Sequence, residues 1–325
     1  LTGVAMGSVA MLGSTLVPDM ERRGYSKSMS IGPILASGSL AIMIPPSALG
    51  VILASMGQFS VGKLLIGILL PGLLLAVVYA TYVVIRCHIQ PHLAPPYEVA
   101  PTPIGPRIMR TLQYVLPLVI IISIVIGTIF AGVATPTEAA ALGALFCFLL
   151  VACYGKLTWQ VIKKSVAAAT TISVMVFVIL TGSAAFSQIL AFTGITVGIT
   201  ELALSWSEHP ILILIAMQVI LLLLGMLIEQ TSIVMITTPI YFPIVSAFGW
   251  DPVWFGAIML LNLEMATISP PFGLSLFVMK GITSKTTTMG DIYRAALPFV
   301  ALNLVVMGIM IAVPGTVLWL PALMR

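Results

Sequence analysis

The chain has 325 residues, of which 60% are hydrophobic and 7% charged, with a mean hydropathy of +1.17 and a net charge of +4. A soluble domain carries about 25% charged residues, so this composition excludes one and describes a polytopic membrane protein. The basic excess then reflects where the loops sit rather than a nucleic-acid partner, and the three cysteines, Cys87, Cys147 and Cys153, match no metal or redox spacing.

No secretory leader is visible. Leu1-Thr2-Gly3 reads as already inside a repeat, so the chain is expected to lack its N-terminal spans. Residues 1–17 form an apolar, Gly/Ser-rich arm shorter than a span, followed by a charged turn over Asp19–Lys27. A long apolar segment, 28–56, is interrupted at Pro45-Pro46, and 61–85 is a clean span. Residues 87–110 read as a polar, proline-rich loop. A span over 111–131 follows. Thr135-Pro136-Thr137-Glu138 has the pattern of a capping box with proline at the first helical position, opening a helix to about Tyr154. Cys147 and Cys153 are expected to pack within it. Lys156–Lys164 is a basic connector around Trp159. Residues 166–190 span again, with Gly182-Ser183 as a potential break, and 192–208 are a weakly apolar surface stretch. Two short arms, 211–227 and 233–248, flank Ile228-Glu229-Gln230-Thr231-Ser232, which predicts a re-entrant hairpin. Asp251-Pro252 caps a helix that runs to Lys280 and breaks at Pro270-Pro271. Residues 292–313 are the last span.

The two double prolines carry most of the functional signal. Proline deletes a backbone donor and clashes with the carbonyl four residues back, at about 3 kcal/mol or more, so each pair must break its helix. The carbonyls of Ala41 and Ile42, and of Ala266 and Thr267, are predicted to lose their donors. Broken backbone at membrane depth is tolerated only where protein buries it or it lines a cavity, and bare carbonyls there are ligands for a hard cation, as in secondary transporters.

The breaks belong to a repeat. An offset of 225 residues pairs Pro45 with Pro270, Pro46 with Pro271, Pro18 with Pro243, Gly24 with Gly249 and Tyr25 with Trp250. Prolines and glycines mark backbone geometry, so their shared register predicts two copies of one unit. Placing the Asp19–Lys27 turn inside, and alternating the spans, leaves only Lys63 and Arg325 of the 14 basic residues outside. That orientation runs the two broken helices in opposite directions. The fold class expected is thus an all-α membrane protein with inverted repeats, two discontinuous helices and re-entrant hairpins. The segments are 1–86 (repeat 1), 87–110 (cytoplasmic loop), 111–155 (two scaffold spans) and 156–325 (repeat 2).

Among polar residues, Glu229 and Glu264 are the acids expected at membrane depth, where an ionisable group is a functional candidate by default. Glu138 reads as a cap, and Asn262 and Asn303 as helix bridges. No Arg or Lys falls mid-span, so half-helix N-termini near Ser47 and Gly273, with bound Na+, are the expected source of positive field for an anion. Gly57–Leu64 is one residue short of a P-loop and has leucine where Ser or Thr must hold Mg2+, which excludes ATP binding there. No nucleophile with a base is visible at depth, so an enzyme is not expected. A self-sufficient carrier or an ion channel on the same repeat plan stays open.

These motifs resemble those of the large membrane subunit (DctM-like) of TRAP transporters, the tripartite ATP-independent periplasmic carriers. The resemblance rests on Thr2-Gly3, Met20-Glu21-Arg22-Arg23-Gly24-Tyr25, Ile44-Pro45-Pro46-Ser47, Lys63-Leu64 to Pro71-Gly72, Gly132 to Ala141 and Asn262-Leu263-Glu264 to Leu274. It implies a Na+-driven, elevator-type importer of organic acids in the bacterial inner membrane. It also implies two partners, a small four-helix membrane subunit and a periplasmic substrate-binding protein. By the same resemblance, one Na+ site joins Thr2 and Gly3 to Gly38, Ser39, Ala41 and Ile42. The other joins Glu229, Thr231 and Ser232 to Ala266 and Thr267. Ser47, Ser269, Gly273, Asn262 and Glu264 are the expected substrate contacts. The chain departs from the family at the first tip, where Thr2-Gly3-Val4-Ala5 replaces Ser-Gly-Ser-Ser and leaves fewer hydroxyls.

Overall fold

The computed structural model describes residues 5–96, 103–205, 209–284 and 286–324, without the Ala5 and Ser39 side chains. The regular structure among them is helical: α1 (Ala5–Arg22), α2 (Lys27–Met43), α3 (Ala48–Met56), α4 (Val61–Gly67), α5 (Leu69–Ile89), a 3-10 turn (Pro91–Leu93), α6 (Ile104–Tyr114), α7 (Leu116–Phe130), α8 (Pro136–Cys153), α9 (Trp159–Phe192), α10 (Ile195–Ser205), α11 (Pro210–Leu227), α12 (Gln230–Ala247), α13 (Pro252–Thr267), α14 (Leu274–Ile282), α15 (Met289–Ala312) and α16 (Gly315–Ala322). Among the described residues, six helical segments are long and apolar enough to cross a membrane, or seven if α2 and α3, bent by 44° at their break, make one span.

Contacts divide the chain into two compact units, Leu1–Tyr97 with Ala191–Leu323, and Glu98–Leu190 with Met324–Arg325. The span over 166–190, placed in the second repeat from sequence, falls in the second of these units.

The first unit is organised around α13, whose residues from Val253 to Thr267 are all buried. A helix apolar on every side has no face to offer water, so it becomes the centre of the packing. Helices α2, α3, α4, α11, α12, α15 and α16 pack on it. The 225-residue offset holds element by element. It carries α1 onto α12 at both ends, α2 onto α13 and α3 onto α14 within one residue, and the joined α4–α5 over α15. Contacts follow the same exchange: α1 packs on α14 and α12 on α3, while α2 packs on α15 and α13 on α4. Both return arms end on a left-handed glycine, Gly24 at φ +81° and Gly249 at φ +67°. Their caps match bond for bond, Tyr25 N–H to the Met20 carbonyl (3.1 Å) and Trp250 N–H to the Val245 carbonyl (3.0 Å).

In the second unit α6 leads into α7, and α7 packs on α8. The join at Val115 has a clear cause. Pro117 cannot donate to the Gln113 carbonyl, and the Tyr154 hydroxyl donates to it instead. Thr135 and Glu138 form the expected capping box: the Thr135 hydroxyl accepts from the Glu138 N–H at 3.3 Å, and Glu138 accepts from the Thr135 N–H at 2.8 Å.

Four local expectations are corrected. The 87–110 loop ends early, because α6 starts at Ile104; Pro106 sits in its first turn, where an N–H has no intrahelical partner anyway. Gly182-Ser183 does not break α9, which runs unbroken for 34 residues; one interior glycine costs only about 1 kcal/mol. Cys147 and Cys153 are exposed rather than packed. The chain also adds a short helix, α16, after the last span.

Candidate functional site

At the first break, the Ile44 N–H makes the last bond of α2, to the Leu40 carbonyl at 3.1 Å. Pro45 and Pro46 then offer no donor, and among the described residues no N–H reaches the carbonyls of Ala41 and Ile42. The Met43 carbonyl is pressed against α5 at Gly72, where a Cβ would lie 2.5 Å away. Ser47, 1% exposed, restarts the helix, its Oγ accepting from the Gly50 N–H at 3.2 Å. Gly38 is buried about two turns before Pro45.

The second break is built differently in detail. The last turn of α13 tightens, so that the Ile268 N–H reaches Met265 and the Ser269 N–H reaches Ala266, each at 3.2 Å. The Ala266 carbonyl is therefore not left bare, which corrects the expectation for that residue. A helix end that shortens to i→i+3 bonds recovers one acceptor. Thr267 keeps the predicted state: among the described residues no N–H reaches its carbonyl. That oxygen lies where a Cβ on Gly273 would be, 2.4 Å away. The Ser269 hydroxyl is turned back onto the Met265 carbonyl at 2.8 Å, and the Gly273 N–H closes the loop on the Ser269 carbonyl at 3.1 Å. Tyr293 of α15 ties the Pro271 carbonyl at 2.7 Å.

Helices α11 and α12 meet at Ile228-Glu229, a polar joint between two apolar arms. The Glu229 carboxylate caps α12: one oxygen accepts from the Thr231 (2.9 Å) and Ser232 (3.2 Å) N–H groups, the other from the Thr231 hydroxyl (2.9 Å). Gln230, the next residue, fastens this tip to α13. Its Nε2 donates to the Leu263 carbonyl at 3.0 Å and to Glu264 Oε1 at 3.3 Å. Glu264 is fully buried, and its Oε2 has no partner among the described residues. The Thr267 hydroxyl donates to the Glu264 carbonyl at 2.9 Å, which links the tip contact to the bare carbonyl three residues on.

Asn262 faces the other way. Its Nδ2 donates to the Gln218 carbonyl (2.7 Å) and Gln218 Oε1 (2.8 Å) on α11. The close approach of these helices needs Gly225, where a Cβ would lie 2.5 Å from that of Ala266. Asn303 likewise bridges helices, from α15 to the Tyr79 hydroxyl of α5 at 2.6 Å.

The structure thus brings together Glu229, Thr231 and Ser232 at one tip, with Gln230 joining that tip to Glu264, and groups Thr267, Ser269 and Gly273 at the second break. Ser47, Ala41 and Ile42 stand at the first break. Thr2 and Gly3 lie outside the described residues, as does the side chain of Ser39. Sequence reading gave no role to Gln218, Gln230, Tyr293 and Ser275, the last a buried hydroxyl at the start of α14 with no partner among the described residues. Gln218 is the one polar side chain in α11, and that isolation is the signal that would have found it.

Each break thus holds carbonyl oxygen that no N–H reaches among the described residues. Residues 1–316 match the profile of the family described as the tripartite ATP-independent periplasmic transporter, DctM component. The chain is 32% identical over 327 residues to the C4-dicarboxylate TRAP transporter large permease protein of Pseudomonas aeruginosa, covering 99% of this chain and 74% of that one. It is 28% identical over 333 residues to the sialic acid TRAP transporter large permease protein of Vibrio cholerae, with 99% and 74% covered. The isethionate TRAP transporter permease protein DctMQ of Oleidesulfovibrio alaskensis is 32% identical over 321 residues, 97% of this chain and 49% of that protein. With a match of this extent, the chain belongs to the DctM family of TRAP transporter large permeases.

Proposed function

We propose that this permease imports organic acids, C4-dicarboxylates, sialic acid or similar carboxylates, driven by Na+ and by an elevator-type movement of its repeats in the bacterial inner membrane. It takes its cargo from a periplasmic substrate-binding protein and works with a small four-helix membrane subunit. The observation that carries this reading is the pair of helix breaks 225 residues apart, each leaving carbonyl oxygen that no N–H reaches among the described residues: Ala41 and Ile42 in one, Thr267 in the other. These carbonyls, with the hydroxyls of Thr231, Ser232 and Thr267, would hold Na+; Gly38, Ser39, Thr2 and Gly3 complete the first set. The ion supplies positive charge beside an anionic cargo in spans that carry no mid-depth Lys or Arg.

The chain's own parts have distinct tasks in this scheme. The first turns of α3 and α14, at Ser47 and Gly273, present backbone N–H groups toward the anion. Ser269 and Gly273 shape the second loop. Glu264 and Gln230 set the position of the hairpin tip, and Asn262 sets α11 against α13. A relative that bears the name DctMQ, about half of which this chain covers, fits a large subunit fused to a small one.

Reconstitution tests the reading. Vesicles holding this chain and the small subunit, given the binding protein and an inward Na+ gradient, accumulate labelled dicarboxylate or sialate. Omitting the gradient, the small subunit or the binding protein abolishes uptake. Uptake that persists without the binding protein and without Na+ contradicts the proposal and identifies a self-sufficient carrier.

A further inference from the structure

Within the helices of the second compact unit the basic residues gather at one end. Between Ile104 and Phe192 the basic residues are Arg107, Arg110, Lys156, Lys163 and Lys164, and the sole acid is Glu138. Glu138 caps the start of α8, while Lys156 follows that helix's far end, separated by 18 helical residues, or about 27 Å of rise. Because α6–α7 cross the membrane and α8 returns, the start of α6 and the α8–α9 connection lie on the same side. The Tyr154 hydroxyl bonded to the Gln113 carbonyl, and the Tyr114 and Tyr154 rings 6.4 Å apart, tie the end of α6 to the end of α8. All five basic side chains are exposed, and none has an acidic partner among the described residues.

The first turns of α6 and α9 begin two segments long and apolar enough to cross a membrane, and their residue types suit its boundary with water. At 100° per residue, Ile104, Ile108, Met109 and Leu112 of α6 fall within an arc of about 140°, with Arg107 and Arg110 on the opposite side. All four apolar residues are exposed. Trp159, 78% exposed, stands one turn before Lys163 on α9, an aromatic anchor beside a basic side chain. Exposed apolar residues flank a ring of uncompensated cations and aromatics, and the matching surface is a lipid leaflet with negative headgroups.

We infer that this end of the second unit is an anionic-phospholipid docking site. The first turns of the 27-residue α6–α7 segment stand at headgroup depth, and Arg107, Arg110, Lys156, Lys163 and Lys164 hold lipid phosphates around Trp159. The site is independent of the helix breaks and of the cargo.

The test reads Trp159 fluorescence with the whole chain in phosphatidylcholine vesicles doped with brominated phosphatidylglycerol or brominated phosphatidylcholine. The Trp159→Phe variant is subtracted to remove the other tryptophans. Expected is about fivefold enrichment of the anionic lipid at Trp159, shrinking as salt shortens the screening length. The enrichment disappears in R107Q/R110Q/K163Q/K164Q. The salt series on the wild-type chain stands even if that variant folds poorly. Equal quenching by the two lipids, a preference that survives high salt and the substitutions, or a Trp159 that neither lipid reaches because protein covers it, overturns the inference.

Discussion

At the scale of single residues, the second break depends on Gly273 more than on any hydroxyl around it. Its Cβ would fall 2.4 Å from the Thr267 carbonyl oxygen and 2.9 Å from that of Ser269. Both contacts are to backbone, which cannot rotate away. Gly273→Ala is therefore expected to cost about 1–3 kcal/mol of stability and to displace the carbonyl proposed as a Na+ ligand. Gly281→Ala, with nothing within 4 Å on the following helix, is the matched control. Thermal unfolding in detergent and the Na+ dependence of uptake should change for the first and not for the second. Sequence reading reached Gly273 through its place after a double proline, but not the reason it must be glycine, which lies in a contact across the loop. It also placed Gln230 in the polar run between the two arms without giving it a role, and singled out Glu229, whose carboxylate is taken up in capping α12, whereas Gln230 is the residue that joins the tip to Glu264. Neighbouring polar residues at a helix start differ in direction, and direction is set by the fold.

At the scale of elements, proline was the most legible signal because its effect is local: a missing donor breaks a buried helix whatever surrounds it. Pro45-Pro46 and Pro270-Pro271 are both breaks, and Asp251 and Thr135 are both caps, as their sequence patterns foretold. Gly182 was over-read, since glycine permits a bend without requiring one. The restart of α3 rests on one buried side chain. Ser47→Ala removes the acceptor for the Gly50 N–H and should destabilise by about 1 kcal/mol, whereas Ser47→Gly should cost only a few tenths. Chemical denaturation of the reconstituted or detergent-held chain separates the two; equal losses would show that the hydroxyl's role is not capping. The element boundaries that sequence left vague, such as the start of α6 and the existence of α16, fall in segments that are amphipathic or short, where the pattern of apolar residues gives little signal.

At the scale of the whole molecule, the 225-residue offset was legible because glycines and prolines kept a common register, and the helix bounds follow it. The division into two compact units was not, since it depends on which spans touch. In the first unit α1 packs on α14 and α12 on α3, around a central helix buried from Val253 to Thr267. The account as a whole requires that the two repeats face opposite sides of the membrane, so that the two broken helices meet at mid-depth from opposite directions. Arg22 and Ala247 end α1 and α12 at equivalent, exposed positions. In a chain with Cys87, Cys147 and Cys153 replaced, a single cysteine at each is labelled in intact cells with a membrane-impermeant maleimide. The account predicts that Ala247→Cys labels from outside and Arg22→Cys only after the membrane is opened; labelling of both from the same side would contradict it.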